Sequence, residues 1–117
     1  MKFIDREVYK REVRKACELN PNYDIALIEA GRIDKEEGKI EDSNNKFHRA
    51  YEHMLQQWKT NSLKDNTSLG WLAAVARELG ENDIANQVMA SAKKLENEFY
   101  YNKDNLSKIK DNILTKD

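Results

Sequence analysis

Two histidines, one cysteine and several clusters of like charge are the side chains in this sequence able to do more than pack. His48 and Glu52 stand four residues apart and share a helix face. His53 is the fifth residue after His48, which places it about 140° further round a helix, so the two histidines do not converge. A His–carboxylate pair supplies two ligands where zinc takes three or four, so no metal site is expected. Cys17 is the single cysteine, which excludes an internal disulfide and a thiolate cluster. Its place on an apolar helix face reads as core. The sequence holds no phosphate-cradling glycine loop, nucleophile elbow or convergent acid–base pair, and Glu36 and Glu37 point to different faces. The expectation is a protein without catalytic residues or cofactor.

Charge offers two binding chemistries. Arg6, Lys10 and Arg14 recur every four residues, with Lys2, Arg11 and Lys15 nearby, and such a patch suits phosphates. The pairs Glu7–Arg11 and Arg14–Glu18, together with Asp5 and Glu12, dilute it, and a net charge of −1 provides no long-range pull on nucleic acid. Nucleic-acid binding through this helix therefore ranks low. The acidic stretch Asp34, Glu36, Glu37, Glu41 and Asp42 is its complement and offers the patch a docking site in a second copy. Four large aromatics, Trp58, Trp71, Tyr100 and Tyr101, have no obvious core position. Trp58 and Trp71 flank one polar loop, where they pack on one another beneath it or anchor a partner.

These residues need elements to hold them, and composition says which. At 117 residues the chain is one domain, able to bury roughly 65% of its unfolded surface. With 39% hydrophobic and 35% charged residues, that core is thin beneath a densely charged surface. Abundant alanine, leucine, lysine and glutamate, scarce glycine and proline, and no alternating β-branched run predict an all-α domain. Met1 to Leu19 is charged throughout, unlike a signal peptide, and no apolar run is long enough to span a bilayer, so a cytoplasmic location is expected.

Apolar residues recur at helical spacing in five or six segments. Ile4, Val8, Tyr9, Val13, Ala16 and Cys17 predict a first helix over about Asp5–Leu19, stopped by Pro21. A second is predicted over about Asp24–Glu37, begun by Asn22 or Tyr23–Asp24 and closed by Gly38. Its apolar residues cover more than half its circumference, as in a sandwiched helix, and mid-helix Gly31 implies close approach of a neighbour. A third runs from Ile40 or Glu41 to about Lys59, followed by a polar loop from Thr60 to Ser68. A fourth covers about Ser68–Leu79, capped by Asn66, Thr67 or Ser68 and closed by Gly80. The fifth starts at Asn82 or Asp83 with Ile84, Ala85, Val88, Met89, Ala92, Leu95 and Phe99 on its stripe. Leu106, Ile109 and Ile113 mark a last helix over Asn102–Asp117.

Leu27, Ala30, Gly31, Gly38, Phe47 and Ala50 are echoed 42 residues on by Leu69, Leu72, Ala73, Gly80, Met89 and Ala92. Together with Ala16-Cys17-Glu18-Leu19-Asn20-Pro21, this spacing resembles the tetratricopeptide repeat, a hairpin of two helices. Three departures stand out. Asp34 replaces the family's usual aromatic, Ser43 an alanine, and Leu55 the proline that ends the second helix. The last accounts for the 42-residue offset and argues against a regular superhelix. The resemblance implies an N-terminal helix (1–22), hairpins over 23–59 and 66–101, and a capping helix over 102–117.

It further implies that ligands meet the first helix of each hairpin. Those positions hold Ile28, Arg32, Lys35, Ala74 and Arg77, three cations over an apolar floor suited to a peptide or protein surface bearing carboxylates. The lysine–asparagine set of carboxylate-clamping family members is not reproduced. The expected function is a non-enzymatic protein-binding adaptor. The alternatives are a self-associating helical protein whose apolar faces close by dimerisation and, below it, a nucleic-acid binder using the first helix.

Overall fold

Apolar residues repeating at three- and four-residue steps can be buried only by packing helix on helix, and in a computed structural model that describes residues 2–97, with side-chain surroundings from Asp5 onward, the described residues form five helices. They are α1 (Lys2–Leu19), α2 (Asp24–Glu36), α3 (Ile40–Lys59), α4 (Asn66–Glu78) and α5 (residues 82–97), and no strand occurs among the described residues. The expected capping helix over 102–117, and Phe99, Tyr100 and Tyr101, lie outside them. As its broad apolar surface predicts, α2 packs on α1, α3 and α4, and α3 also packs on α4.

The helix ends follow local chemistry. After α2, the Lys39 N–H donates to the Asp34 carbonyl (2.7 Å) and the Gly38 N–H to that of Lys35 (3.1 Å). After α4, Glu81 donates to Ala76 (2.8 Å) and Gly80 to Arg77 (3.0 Å). These paired bonds satisfy carbonyls that a helix end leaves open, and they need a left-handed residue, met by Gly38 (φ 82°) and Gly80 (φ 79°). Asn61 (φ 62°) does the same after α3, with Ser62 donating to Gln57 (2.7 Å). Helix α3 runs straight past Leu55 for 20 residues. The start of α4 differs from expectation. Asp65, not Asn66, Thr67 or Ser68, is the N-cap, because its carboxylate takes both the Ser68 N–H (2.7 Å) and the Ser68 hydroxyl (2.9 Å). Those bonds hold the Asp65 carboxyl below the usual carboxylate range.

One main core joins α2 to α5. Ile28, Phe47, Leu69, Leu72, Val75 and Val88 are fully buried in it, and Leu55, Trp58, Trp71 and Leu95 pack partly buried at its edge. A second, small cluster of Val13, Ala30 and Ile33, with Cys17 beside it, seats α1 on α2. The apolar stripe expected along α1 is thus used only in part, since Val8 and Tyr9 remain exposed.

The tightest approach is between α2 and α3. A Cβ at Gly31 would stand 2.6 Å from Cε1 of Phe47, closer than real Cβ contacts allow. One turn of α3 earlier, the buried Ser43 hydroxyl donates to the Gly31 carbonyl at 2.7 Å. Glycine is therefore required by its neighbour, against a helix-propensity cost of about 1 kcal/mol. Gly31→Leu is expected to destabilise the fold by roughly 1–3 kcal/mol through overpacking. Gly31→Ala should also lower the urea midpoint despite alanine's better propensity. A midpoint unchanged or raised in both variants would show that the Phe47 ring yields freely.

Candidate functional site

The surface shared by α2 and α4 gathers some of the expected contact residues and not others. Arg32 is exposed on α2, and its guanidinium lies 5.6 Å from the centre of the Trp71 ring on α4. Trp71 precedes Ala74 by three residues, so the two share a helix face. With Arg32, Asn66, Thr67 and Gly70 they line a shallow recess of about 310 Å³. Lys35 stands outside this recess, 3.4 Å from Glu78, and Arg77 is exposed with no ion pair among the described residues. Ile28 is a correction. It is 0% exposed within the main core and offers a partner no apolar area. Trp71 supplies that area in its place. Trp58 lines a separate recess with Leu63, Lys64, Leu69 and Leu95.

The basic face of α1 is turned inward. Arg6 pairs with Glu36, Lys10 with Glu37 (3.3 Å), and Arg14 with both Asp34 (3.3 Å) and Glu37 (3.0 Å). The Tyr9 hydroxyl donates to Glu29 at 2.6 Å, and burial together with this bond pushes the phenol above its ordinary value. Three of the acids expected to meet the patch in a second copy, Asp34, Glu36 and Glu37, thus meet it within the chain, and their charge compensates the cations that phosphates would need. Most of these pairs are solvent-exposed, worth about 0–1 kcal/mol each. Asp34 is the exception. Its side chain is 2% exposed and receives Lys46 of α3 at 2.5 Å as well as Arg14. A carboxylate desolvated to that degree holds its place only when paired on several sides, and among the described residues no buried side-chain polar atom lacks a partner.

The remaining chemistry-bearing residues stand apart. His53 Nδ1 lies 2.6 Å from Asp24 Oδ2 across the α2–α3 hairpin, while His48 and Glu52 are both exposed. Among the described residues no three His, Cys, Asp or Glu side chains converge as metal ligands would. Burial pushes the Cys17 thiol up, which keeps it protonated and a poor nucleophile. No helix of the described residues is long and apolar enough to cross a membrane. Compared with protein-family models, with curated proteins and with solved structures, the chain gives no significant match.

The α1 clamp carries a pH signature. The hydrogen bond from Lys10, then the charges of Lys10, Arg14 and Lys39, hold the Glu37 carboxyl below its ordinary value. A carboxyl depressed in the folded state stabilises it fully above the unfolded value, about 4.3 for glutamate, and less as pH falls through the lower folded value. Thermal melts from pH 7 to pH 3 should therefore show the wild type losing more stability below about pH 4.3 than Glu37→Gln does. Parallel curves would mean that Glu37 contributes nothing specific to seating α1.

Proposed function

We propose that this chain is a short tetratricopeptide-like array serving as a non-enzymatic, cytoplasmic adaptor that holds an acidic peptide or protein surface on the α2/α4 face. One observation carries the reading: Arg32 spread over Trp71 in a recess floored by Ala74 and Gly70. Tryptophan and arginine are the side chains that most often dominate a binding interface, the ring through area and the guanidinium through bidentate bonds to carboxylates. Held over the ring and exposed, the guanidinium is accessible to such bonds, and Arg77 adds a second cation. Two hairpins related by a 42-residue offset, each closed at its first helix by Gly38 or Gly80, support the repeat reading. Nucleic-acid binding and charge-driven self-association drew on the α1 patch, which is engaged on α2, whereas a dimer closed by apolar faces does not depend on it.

Arg32→Glu combined with Arg77→Glu should abolish recovery of the native partner from extracts of the source cell. Stability should fall by no more than about 1 kcal/mol, the scale of a half-exposed cation–π contact. The check is partner recovery by both proteins, with their thermal melts alongside. Equal recovery would refute the face as the contact surface.

A further inference from the structure

Helix α1 is fastened to the molecule differently from the other helices. None of its described residues belongs to the main core that joins α2 to α5, and its apolar seat is only Val13 and Cys17 against Ala30 and Ile33. Its other fastenings are polar: Arg6 to Glu36, Lys10 to Glu37, Arg14 to Asp34 and Glu37, and the Tyr9 hydroxyl to Glu29. Each of these contacts is with α2 or its C-cap. Asp34 decides whether α1 can leave. A buried carboxylate stripped of every partner would be costly. Arg14 takes one of its oxygens, however, while Lys46 of α3 holds the other at 2.5 Å. Departure of α1 therefore leaves Asp34 paired inside the α2–α3 hairpin.

We infer that the strip of α2 beneath α1 is a docking site for a basic amphipathic helix, and that α1 is its displaceable resident. The chemistry of the guest is set by the one helix seen seated there. Arg6, Lys10 and Arg14, four residues apart, meet acids of α2 around the small apolar contact of Val13 with Ala30 and Ile33. With α1 away, the strip presents Ala30 and Ile33 amid four carboxylates, Glu29, Asp34, Glu36 and Glu37. Lys46 and Lys39 engage Asp34 and Glu37, and among the described residues no other ion pair reaches Glu29 or Glu36. The opened site is thus acidic and complementary to cations. Ionic strength governs the opening, because salt shortens the reach of exposed charges from about 10 Å at 0.1 M to about 3 Å at 1 M. This site takes the opposite charge from the Arg32–Trp71 recess and stands or falls separately from it.

Native-state hydrogen exchange on the full-length chain tests the release. Amides of α1 should exchange about tenfold faster or more at 1 M salt than at 0.1 M, while those of Phe47 and Leu72 keep their rates. Docking is read at 0.1 M salt with a labelled peptide of residues 2–22. The full-length Lys10→Glu, Arg14→Glu variant, whose own α1 is repelled, should bind it about tenfold more tightly than the wild type, whose site is filled. Val13→Asp, which breaks the apolar seat and leaves the acids intact, should behave alike. Adding Glu36→Lys and Glu37→Lys should abolish binding, and a scrambled peptide of the same composition should not bind. Amides of α1 that exchange only together with those of Phe47 and Leu72, in the wild type and in both releasing variants, would overturn the inference. A released α1 with no peptide bound, or equal binding of the scrambled peptide, would overturn it as well.

Discussion

The approach of α3 to α2 at Gly31 fixes the geometry on which the other helices depend. With the Phe47 ring against bare backbone, the two helices lie closer than side chains at that point would permit. The Ser43 hydroxyl then bonds the Gly31 carbonyl at 2.7 Å, so the contact sets register as well as distance. Register matters because Asp34, one turn after Gly31, must meet Lys46, one turn after Ser43. The same carboxylate is also an anchor for α1 through Arg14. A ring that fits only against glycine thus aligns a buried ion pair, and that ion pair helps to fix a third helix.

The small apolar cluster beneath α1 explains why its charges are where they are. Val13, Ala30 and Ile33 with Cys17 bury little area, so α1 relies on pairs spaced along its inner face from Arg6 to Arg14. Exposed pairs are individually weak, but they discriminate between registers of one helix sliding on another, because a slip sets like against like. The 35% of charged residues are in part a substitute for apolar packing at this end of the molecule. An electrostatic patch obvious in sequence can thus be spent inside the fold.

How far the sequence could be read follows from which facts are local. Pro21, Gly38 and Gly80 act within a few residues of themselves, and the helices they separate fall where periodicity puts them. The close-packed role of Gly31 was legible too, because a mid-helix glycine needs a reason. The cap at Asp65 was missed by one residue: Asp65, Asn66, Thr67 and Ser68 all have capping side chains, and only geometry decides among them. The burial of Ile28 was illegible for another reason. With Ile25, Ala26, Leu27, Ile28, Ala30 and Ile33 covering over half of α2, which of them are fully buried depends on where the neighbouring helices land. Asp34 was read as part of an acidic stretch and Trp71 as loop packing or a partner anchor, but their partners, Lys46 with Arg14 and Arg32, come from other helices and were not legible. In two of the three departures from the repeat pattern, Asp34 and Ser43, the substituted side chain makes a specific polar bond in the α2–α3 interface.

A net charge of −1 bears on how the proposed surface would work. A nearly neutral molecule exerts little long-range attraction, so an acidic partner is not drawn in from a distance, and recognition must be settled at contact. At contact, burial of Trp71 and Ala74 would provide most of the affinity, since each is partly accessible and apolar. Arg32 would then act on specificity. Its guanidinium, already resting on the indole, loses less side-chain freedom on meeting a carboxylate than a lysine extended into solvent would. Lys35, held by Glu78, would have to break an existing pair to do the same. Of the three cations that the sequence placed on this face, Arg32 lies over Trp71 and Lys35 is engaged by its neighbour on α4.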